Sequence, residues 1–217
     1  MIKADLHIHT KYSIDCGTPI QAVIERCQQL GLGCVAIADH GTIEGALEMH
    51  KLAPFNVIVA EEILTPDGEI MGMFLKKTIP SGISADKAVA AIKEQGGLVC
   101  IPHPFDPIRN SALDSDVLKR LVAESKVDIL EVINSRYLLK RSVEQASKFA
   151  KKHNLAQSAG SDGHTIPEIG NAYVEISEFE ERDEFLEALA KGKPSGHRTN
   201  PLVHFHSLVQ RLKTQLT

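Results

Sequence analysis

A single-domain α/β barrel is the fold this sequence predicts, and three observations predict it. Short apolar runs rich in Ile, Val, Leu and Ala alternate with amphipathic stretches along the chain. Five clusters of acidic and histidine residues each sit at the end of such a run: Asp5-Leu6-His7-Ile8-His9, Asp39-His40, Glu61-Glu62, Pro102-His103-Pro104 and Ser161-Asp162-Gly163-His164. An α/β barrel gathers the C-terminal ends of its strands around one mouth, so clusters distant in sequence converge there. The length, 217 residues, suits one domain with a full core.

The elements follow in order. Residues 2–6 read as a first strand, after which Thr18 as N-cap and Pro19 at the first helical position open a helix to about residue 30. Gly31 and Gly33 stop it, and residues 34–38 form a second strand. A short helix over 43–51 leads to a strand at 57–60. Pro66-Asp67-Gly68 is a turn, with 70–75 as the returning arm. Ser84 caps a helix over 85–95, Gly96-Gly97 ends it, and 98–101 is the next strand. A helix at 115–125, a strand at 129–133, a helix at 142–153 and a strand at 156–159 follow. Residues 172–176 are the last strand and 183–190 the last long helix, which makes about seven βα units and seven or eight barrel strands. The segment 192–217 is a C-terminal tail that the pattern does not assign.

Composition narrows the function. The net charge of −4 argues against a broad nucleic-acid-binding surface. With Trp absent and three Tyr, no basic groove rich in aromatic rings is expected either. No apolar stretch approaches the roughly 20 residues needed to span a bilayer. The N-terminal residues lack the apolar core of a signal peptide, so a cytoplasmic location is the expectation. Cys16, Cys27, Cys34 and Cys100 contain no CxxC pair, and reduced buried thiols are expected.

The clusters carry the chemistry. Residues two apart in a strand share a face, so His7 and His9 can hold one metal, with Asp5 behind them bonded to an imidazole N–H. Of Asp39 and His40 only one points inward, and the imidazole is the better ligand. Glu61-Glu62 poses the same choice, and a carboxylate there can bridge two metals. Pro102 and Pro104 stiffen the loop that presents His103. Asp162 and His164, two apart, reach adjacent metals. The donors are N and O without thiolate, which suits Zn²⁺, Mn²⁺ or Fe²⁺. So dense a set of carboxylates repels itself unless cations neutralise it.

Taken together, Asp5 to Thr10, Ala38-Asp39-His40, Glu62, Pro102-His103-Pro104 and Ser161 to His164 resemble the polymerase and histidinol phosphatase (PHP) superfamily over residues 2–176. The resemblance implies a distorted, TIM-like (β/α)7 barrel, a trinuclear metal centre and phosphoester hydrolysis. It implies one metal on His7, His9, Glu62 and Asp162, and a second on Asp15, His40 and His164. A third would share Glu62 and add His103. The Asp15 loop, Ser13-Ile14-Asp15-Cys16-Gly17, is similar to the family's Ser-x-Asp-Gly but carries Cys16 before Gly17. Where the family often has a Gly-His pair, this chain has Gly68-Glu69, and Glu69 becomes an oxygen ligand of the third metal. Asn134-Ser135-Arg136 resembles a substrate-side segment, which makes Arg136 a candidate phosphate clamp, with Arg198 in the final loop as another. Lys11, Glu44 and His204 are further polar residues without an assigned role.

The function expected is hydrolysis of a small phosphomonoester, such as a nucleotide, a nucleoside bisphosphate or a histidinol-phosphate-like compound, by water activated on two to three divalent metals (Mn, Zn or Fe). Glu62, His40 and His164 are the candidate catalytic residues. A short oligonucleotide remains an alternative substrate, and no membrane or obligate protein partner is expected. A non-catalytic, metal-stabilised module that binds a phosphorylated ligand or a partner is the competing class. A C–N-cleaving amidohydrolase is disfavoured, because Glu62 occupies the place of its lysine bridge.

Overall fold

The computed structural model describes residues 1–200, and His204 and the remainder of the predicted tail lie outside them. Among the described residues nine strands form one sheet: β1 (Ile2–Ile8), β2 (Leu32–Ile37), β3 (Asn56–Thr65), β4 (Gly68–Met73), β5 (Leu98–Ile101), β6 (Ile129–Asn134), β7 (Ala156–Gly160), β8 (Ala172–Ile176) and β9 (Lys193–Gly196). Six helices accompany them among the described residues: α1 (Ile20–Leu30), α2 (Glu44–Leu52), α3 (Ala85–Glu94), α4 (Ser115–Ala123), α5 (Lys140–His153) and α6 (Arg182–Ala190). The strand order is β7-β6-β5-β4-β3-β2-β1-β8-β9.

The sheet curls until its ends meet as a nearly closed barrel. β1 pairs antiparallel with β8 at its start, Ile2 opposite Ile176, while its end bridges in parallel to the segment after β7, Ile8 opposite Gly163. Two backbone bonds make the closure: Asp162 N–H donates to His7 O at 2.8 Å, and His9 N–H to Gly163 O at 3.0 Å.

Small and slender side chains fill the barrel. Ala4, Leu6, Cys34, Ala36, Ile58, Ala60, Met71, Met73, Leu98 and Cys100 alternate along their strands and form one buried cluster, which Phe185, Ala188 and Leu189 of α6 join. The outer faces pack on helices: Ile92 of α3, Leu118 and Leu121 of α4 and Ala146 of α5 in one cluster, Val23 and Cys27 of α1 and Met49 of α2 in another.

The predicted elements are present with shifted ends, and three details differ. β3 runs on through Glu61-Glu62 to Thr65, so this pair lies within the strand and not after it. β4 is the returning arm that the turn predicts: it pairs antiparallel with β3, because a turn as short as Pro66-Asp67 leaves no room for a crossover helix, and antiparallel with β5 on its other side. β8 is also antiparallel to its neighbours, and β9 beside it belongs to the segment that the sequence pattern left unassigned. Thr18 does not cap α1; its hydroxyl donates to His164 O at 2.7 Å, tying the start of the helix to the last ligand cluster.

One glycine is required by the closure. A Cβ on Gly160, at the end of β7, would lie 2.8 Å from His7 N and clash with His7 Cβ. Gly160→Ala must therefore push β1 and β7 apart. We expect a loss of about 1–3 kcal/mol in chemical denaturation, the usual cost of forcing atoms into a packed core, together with weakened metal binding.

Candidate metal centre

β1 brings two imidazoles to the mouth through an irregularity. Ala4 and Leu6 belong to the interior cluster, but Ile8 packs in an outer one. The register shifts between Asp5 and Ile8, which resets the alternation and aims His7 and His9 inward. Both are fully buried, their Nε2 atoms 3.1 Å apart. Asp5 does not bond an imidazole. Its carboxylate accepts from the backbone N–H of Ser161 (2.9 Å) and Gly170 (2.9 Å), pinning the closing segment to β1, and burial raises its pKa to about 6.

The residue behind His7 is Glu131, which the sequence reading missed. Its Oε1 lies 3.0 Å from His7 Nδ1, and its Oε2 accepts from His103 N–H at 2.6 Å and from Asn134 Nδ2 at 3.0 Å. A carboxylate only accepts, so the His7 proton sits on Nδ1 and the Nε2 lone pair faces the centre. A lone acid in the middle of Ile129-Leu130-Glu131-Val132-Ile133 was the available signal.

Similar orienting bonds aim the other rings. His164 Nδ1 lies 2.9 Å from Asp162 O, which also only accepts. Ser13 Oγ donates to Asp15 Oδ1 at 3.0 Å, which leaves it to accept from His9 Nδ1 at 3.3 Å. In each ring Nε2 is left free for a cation. His103 and Asp162 hold left-handed backbone conformations, with φ of 32° and 52°. Strain of this kind persists where the surroundings impose it, here the Glu131 bond to His103 N–H and the Asp162 N–H bond to β1.

Three overlapping donor sets result, the ligand atoms of each within 4.8 Å of one another: His7, His9 and Asp162; His9, Asp15, His40 and His164; and His40, Glu62 and Glu69. Glu62 stands among all three. Its Oε2 is 3.4 Å from His7 Nε2, 3.5 Å from His9 Nε2 and 3.4 Å from His40 Nδ1, while its Oε1 is 2.8 Å from His103 Nε2. Glu69 Oε2 is 3.4 Å from the same His103 nitrogen, so Glu69 and the loop carrying Asp15 and Cys16 both reach the cluster. Cys16 does not join as a ligand: its thiol donates to His164 O, and burial pushes its pKa up to about 12.

The neighbours of the two ambiguous pairs point away. Glu61 faces the other side of β3 from Glu62, accepts from Ile79 N–H at 2.8 Å, and is pushed up to about 7 by burial. Asp39 accepts from the backbone and the hydroxyl of Thr10, both at 2.6 Å, locking the loop after β1.

The electrostatics call for cations. Burial alone would neutralise Asp162 and Glu62, yet both are held well below the usual carboxylate range, Asp162 by Arg109 and His7, Glu62 by His7 and His40. The same carboxylates act on the rings: burial opposes a proton on His40, but Glu62, Asp15 and Glu69 outweigh it and raise its pKa to about 9. Asp162 Oδ1, Glu69 Oε2 and His164 Nε2 are buried without a hydrogen bond. Acceptor atoms crowded in this way, with no thiolate among them, fit divalent metal ions.

A cavity of about 680 Å³ opens onto the cluster, lined in part by Asp15, His40, Glu69, Asp162 and His164. Arg136 is on its wall, but its guanidinium grips buried Glu168, Nε to Oε1 at 2.7 Å and Nη2 to Oε2 at 3.4 Å. Arg109, absent from the sequence reading, also lines the cavity and donates from Nη2 to Asp162 Oδ2 at 2.7 Å. Nothing in the sequence around Arg109 marks it, because only the path of the loop after β5 brings it to the mouth. Arg198 is exposed and does not line this cavity, since the last described loop is fastened one residue later, where Thr199 N–H donates to Ser135 O at 2.7 Å.

Comparison with known proteins gives the family of this barrel with its mouth of acids and imidazoles. Residues 5–63 match the PHP domain and residues 140–194 the PHP-associated family. The chain is 37% identical over 184 residues to the uncharacterised protein MJ0417 of Methanocaldococcus jannaschii, covering 82% of this chain and 72% of that one. It belongs to the PHP superfamily. Among solved structures, a two-domain protein of Bacteroides vulgatus containing a predicted PHP-like metal-dependent phosphoesterase superposes with a TM-score of 0.74 at 17% identity. That match covers 90% of this chain, which spans only 65% of the two-domain protein. A proposed metal-dependent phosphoesterase of Bifidobacterium adolescentis gives a TM-score of 0.66 at 20% identity, over 88% of this chain and 96% of that one. At such identities these structures speak for the fold alone.

Glu131→Ala removes the acceptor that sets the His7 tautomer while sparing every candidate ligand. Metal affinity should fall about 10- to 100-fold, the usual cost of losing such a partner, in a titration of chelator-stripped protein with Mn²⁺.

Proposed function

We propose that this protein is a metal-dependent phosphoesterase that hydrolyses a phosphomonoester with two to three divalent ions, drawn from Mn²⁺, Zn²⁺ and Fe²⁺. The observation that carries the reading is Glu62, one buried carboxylate within 3.5 Å of four imidazoles from β1, β2 and β5 ends, beside an open cavity. His7, His9, Glu62 and Asp162 would hold one ion, Asp15, His40 and His164 a second, and Glu62, Glu69 and His103 a third. Bound divalent ions would supply an activated water and neutralise charge on the phosphoryl oxygens.

The chain's own residues do the rest. Glu131 and Ser13 keep the ring protons away from the centre. Arg109, anchored on Asp162 at the cavity wall, is the guanidinium best placed to orient a phosphoryl group, with Arg136 behind it on Glu168. We assign the catalytic roles to Glu62, which joins the ligand sets, and to His40 and His164, which line the cavity wall and would hold the second ion against a bound phosphoryl group. No covalent intermediate is required: Cys16 is a buried thiol engaged with His164 O.

The test is phosphate release by Mn²⁺-loaded protein from mononucleotides, nucleoside bisphosphates, histidinol phosphate and sugar phosphates, beside a chelator-stripped control. Release should depend on metal and should vanish in His9→Ala while the circular dichroism spectrum is retained. Undiminished release in that variant would sink the reading.

A further inference from the structure

Four aliphatic side chains stand on the wall of the metal cavity: Ile14, Leu64, Ile108 and Leu138. They come from four places around the mouth, namely the loop after β1, the end of β3, and the loops after β5 and β6. Ile14, Leu64 and Ile108 are 57%, 48% and 53% exposed, although such side chains gain most by leaving water. Apolar groups scattered singly over a surface need no explanation, but several around one concavity mark a binding site.

Pinned backbone holds this rim in place. Ser13 N–H donates to Thr10 O at 2.9 Å and Cys16 N–H to Ser13 O at 3.2 Å, which tightens the turn around Ile14. Leu64 O accepts from Gly82 N–H at 2.7 Å. In the loop after β5, Ile108 N–H donates to Asp106 Oδ1 at 3.1 Å, and Ser111 O accepts from Glu69 N–H at 2.8 Å. The exposed aliphatic groups are thus part of how the mouth is built.

The charges of the cavity are already committed. Asp15, His40, Glu69, Asp162 and His164 belong to the donor sets. Arg109 is paired with Asp162 and Arg136 with Glu168, while Asp106 is spent on Ile108 N–H. The rest of the lining, Gly41, Ser81, Asn110 and Ser111, is uncharged. Among the described residues no lysine and no aromatic ring stands on this wall. A second phosphate finds no further cation there, and a nucleobase finds no ring to stack on. A phosphoryl group fills only a small part of about 680 Å³, and what surrounds the remainder is hydrocarbon.

We propose that the substrate is the phosphomonoester of an apolar aliphatic alcohol, its phosphoryl group at the metal ligands and its hydrocarbon part against Ile14, Leu64, Ile108 and Leu138. This rests on the phosphoesterase reading for the reaction and adds to it the class of leaving group. Hydrolysis joins a water oxygen to phosphorus and breaks the bond from phosphorus to the alcohol oxygen, which leaves with a proton from that water. The products are inorganic phosphate and an apolar alcohol.

The experiment is calorimetric titration of Mn²⁺-loaded, full-length protein with methyl-, butyl- and hexylphosphonate, whose carbon–phosphorus bond hydrolysis does not cleave. Each added methylene should tighten binding about two- to fourfold, the upper figure being full burial. Ile14→Ser/Ile108→Ser should shrink the hexyl-to-methyl affinity ratio about tenfold. Leu52→Ser, an equally exposed position at the far end of α2 and outside this cavity, should keep the wild-type ratio. An affinity that ignores chain length, binding by no member of the series, or a double variant with the wild-type ratio would overturn the proposal. So would a wild-type dimer in sedimentation that the double variant dissolves, or wild type but not the double variant attaching to phosphatidylcholine vesicles, since either gives the rim another occupant. Phosphate release from hexyl phosphate and from glycerol phosphate is read in parallel, and kcat/KM should favour the hexyl ester about tenfold. Release from neither, with the phosphonate series intact, would count against the phosphoesterase reading and leave the rim standing. Release that favours the glycerol ester would overturn the proposal and leave that reading standing.

Discussion

The closure of β1 onto the segment after β7 is the constraint on which the candidate site depends. Asp5 enforces it, a carboxylate with no exposed surface whose oxygens are spent on backbone N–H groups of Ser161 and Gly170. Burying a charge-bearing group is costly, and it is tolerated here because backbone donors on both sides of the seam satisfy it. With the seam shut, Asp162 and His164 stand beside His7 and His9. If it opened, two of the three donor sets would lose members from one side.

Around that seam the protein concentrates more buried acid and imidazole than an apolar barrel can hold uncompensated. Asp15, Glu62, Glu69, Glu131 and Asp162 are all buried within reach of five histidines and Arg109. Part of the compensation is internal, since Arg109 pairs with Asp162 and Glu131 is saturated by His7, His103 and Asn134. The unbonded acceptors at Asp162, Glu69 and His164 are the part left over, and they face the side where divalent ions would sit. The barrel interior below is made of apolar side chains such as Ala, Cys, Leu, Ile and Met, so the polar atoms have no other partners to relax toward.

Much of this was legible in the chain. Apolar runs ending in His or Asp placed most candidate ligands at strand ends, Glu62 within β3 excepted, and Gly96-Gly97 and Ser84 marked helix boundaries that the structure keeps. The less legible parts have physical causes. The antiparallel β8 has the same local apolar pattern as a parallel strand; partner direction is decided by what edge is free. Arg136 looked like a clamp because an arginine at a strand end fits phosphate, and nothing local announces that Glu168, 32 residues on, takes its guanidinium.

The sequence by itself determined the class of fold and singled out the acids and imidazoles that gather at the mouth, because periodicity and residue chemistry are local properties of the chain. It determined also that His7, His9, His40, Glu62, His103, Asp162 and His164 would meet, since strands of one barrel must end together. Tertiary structure alone decided how those donors are shared and aimed. The bulge in β1, the Glu131 bond to His7 and the left-handed turns at His103 and Asp162 depend on neighbours brought from elsewhere in the chain. It alone decided which arginine faces the cavity, because a long side chain goes where a buried partner draws it, and that partner is set by packing.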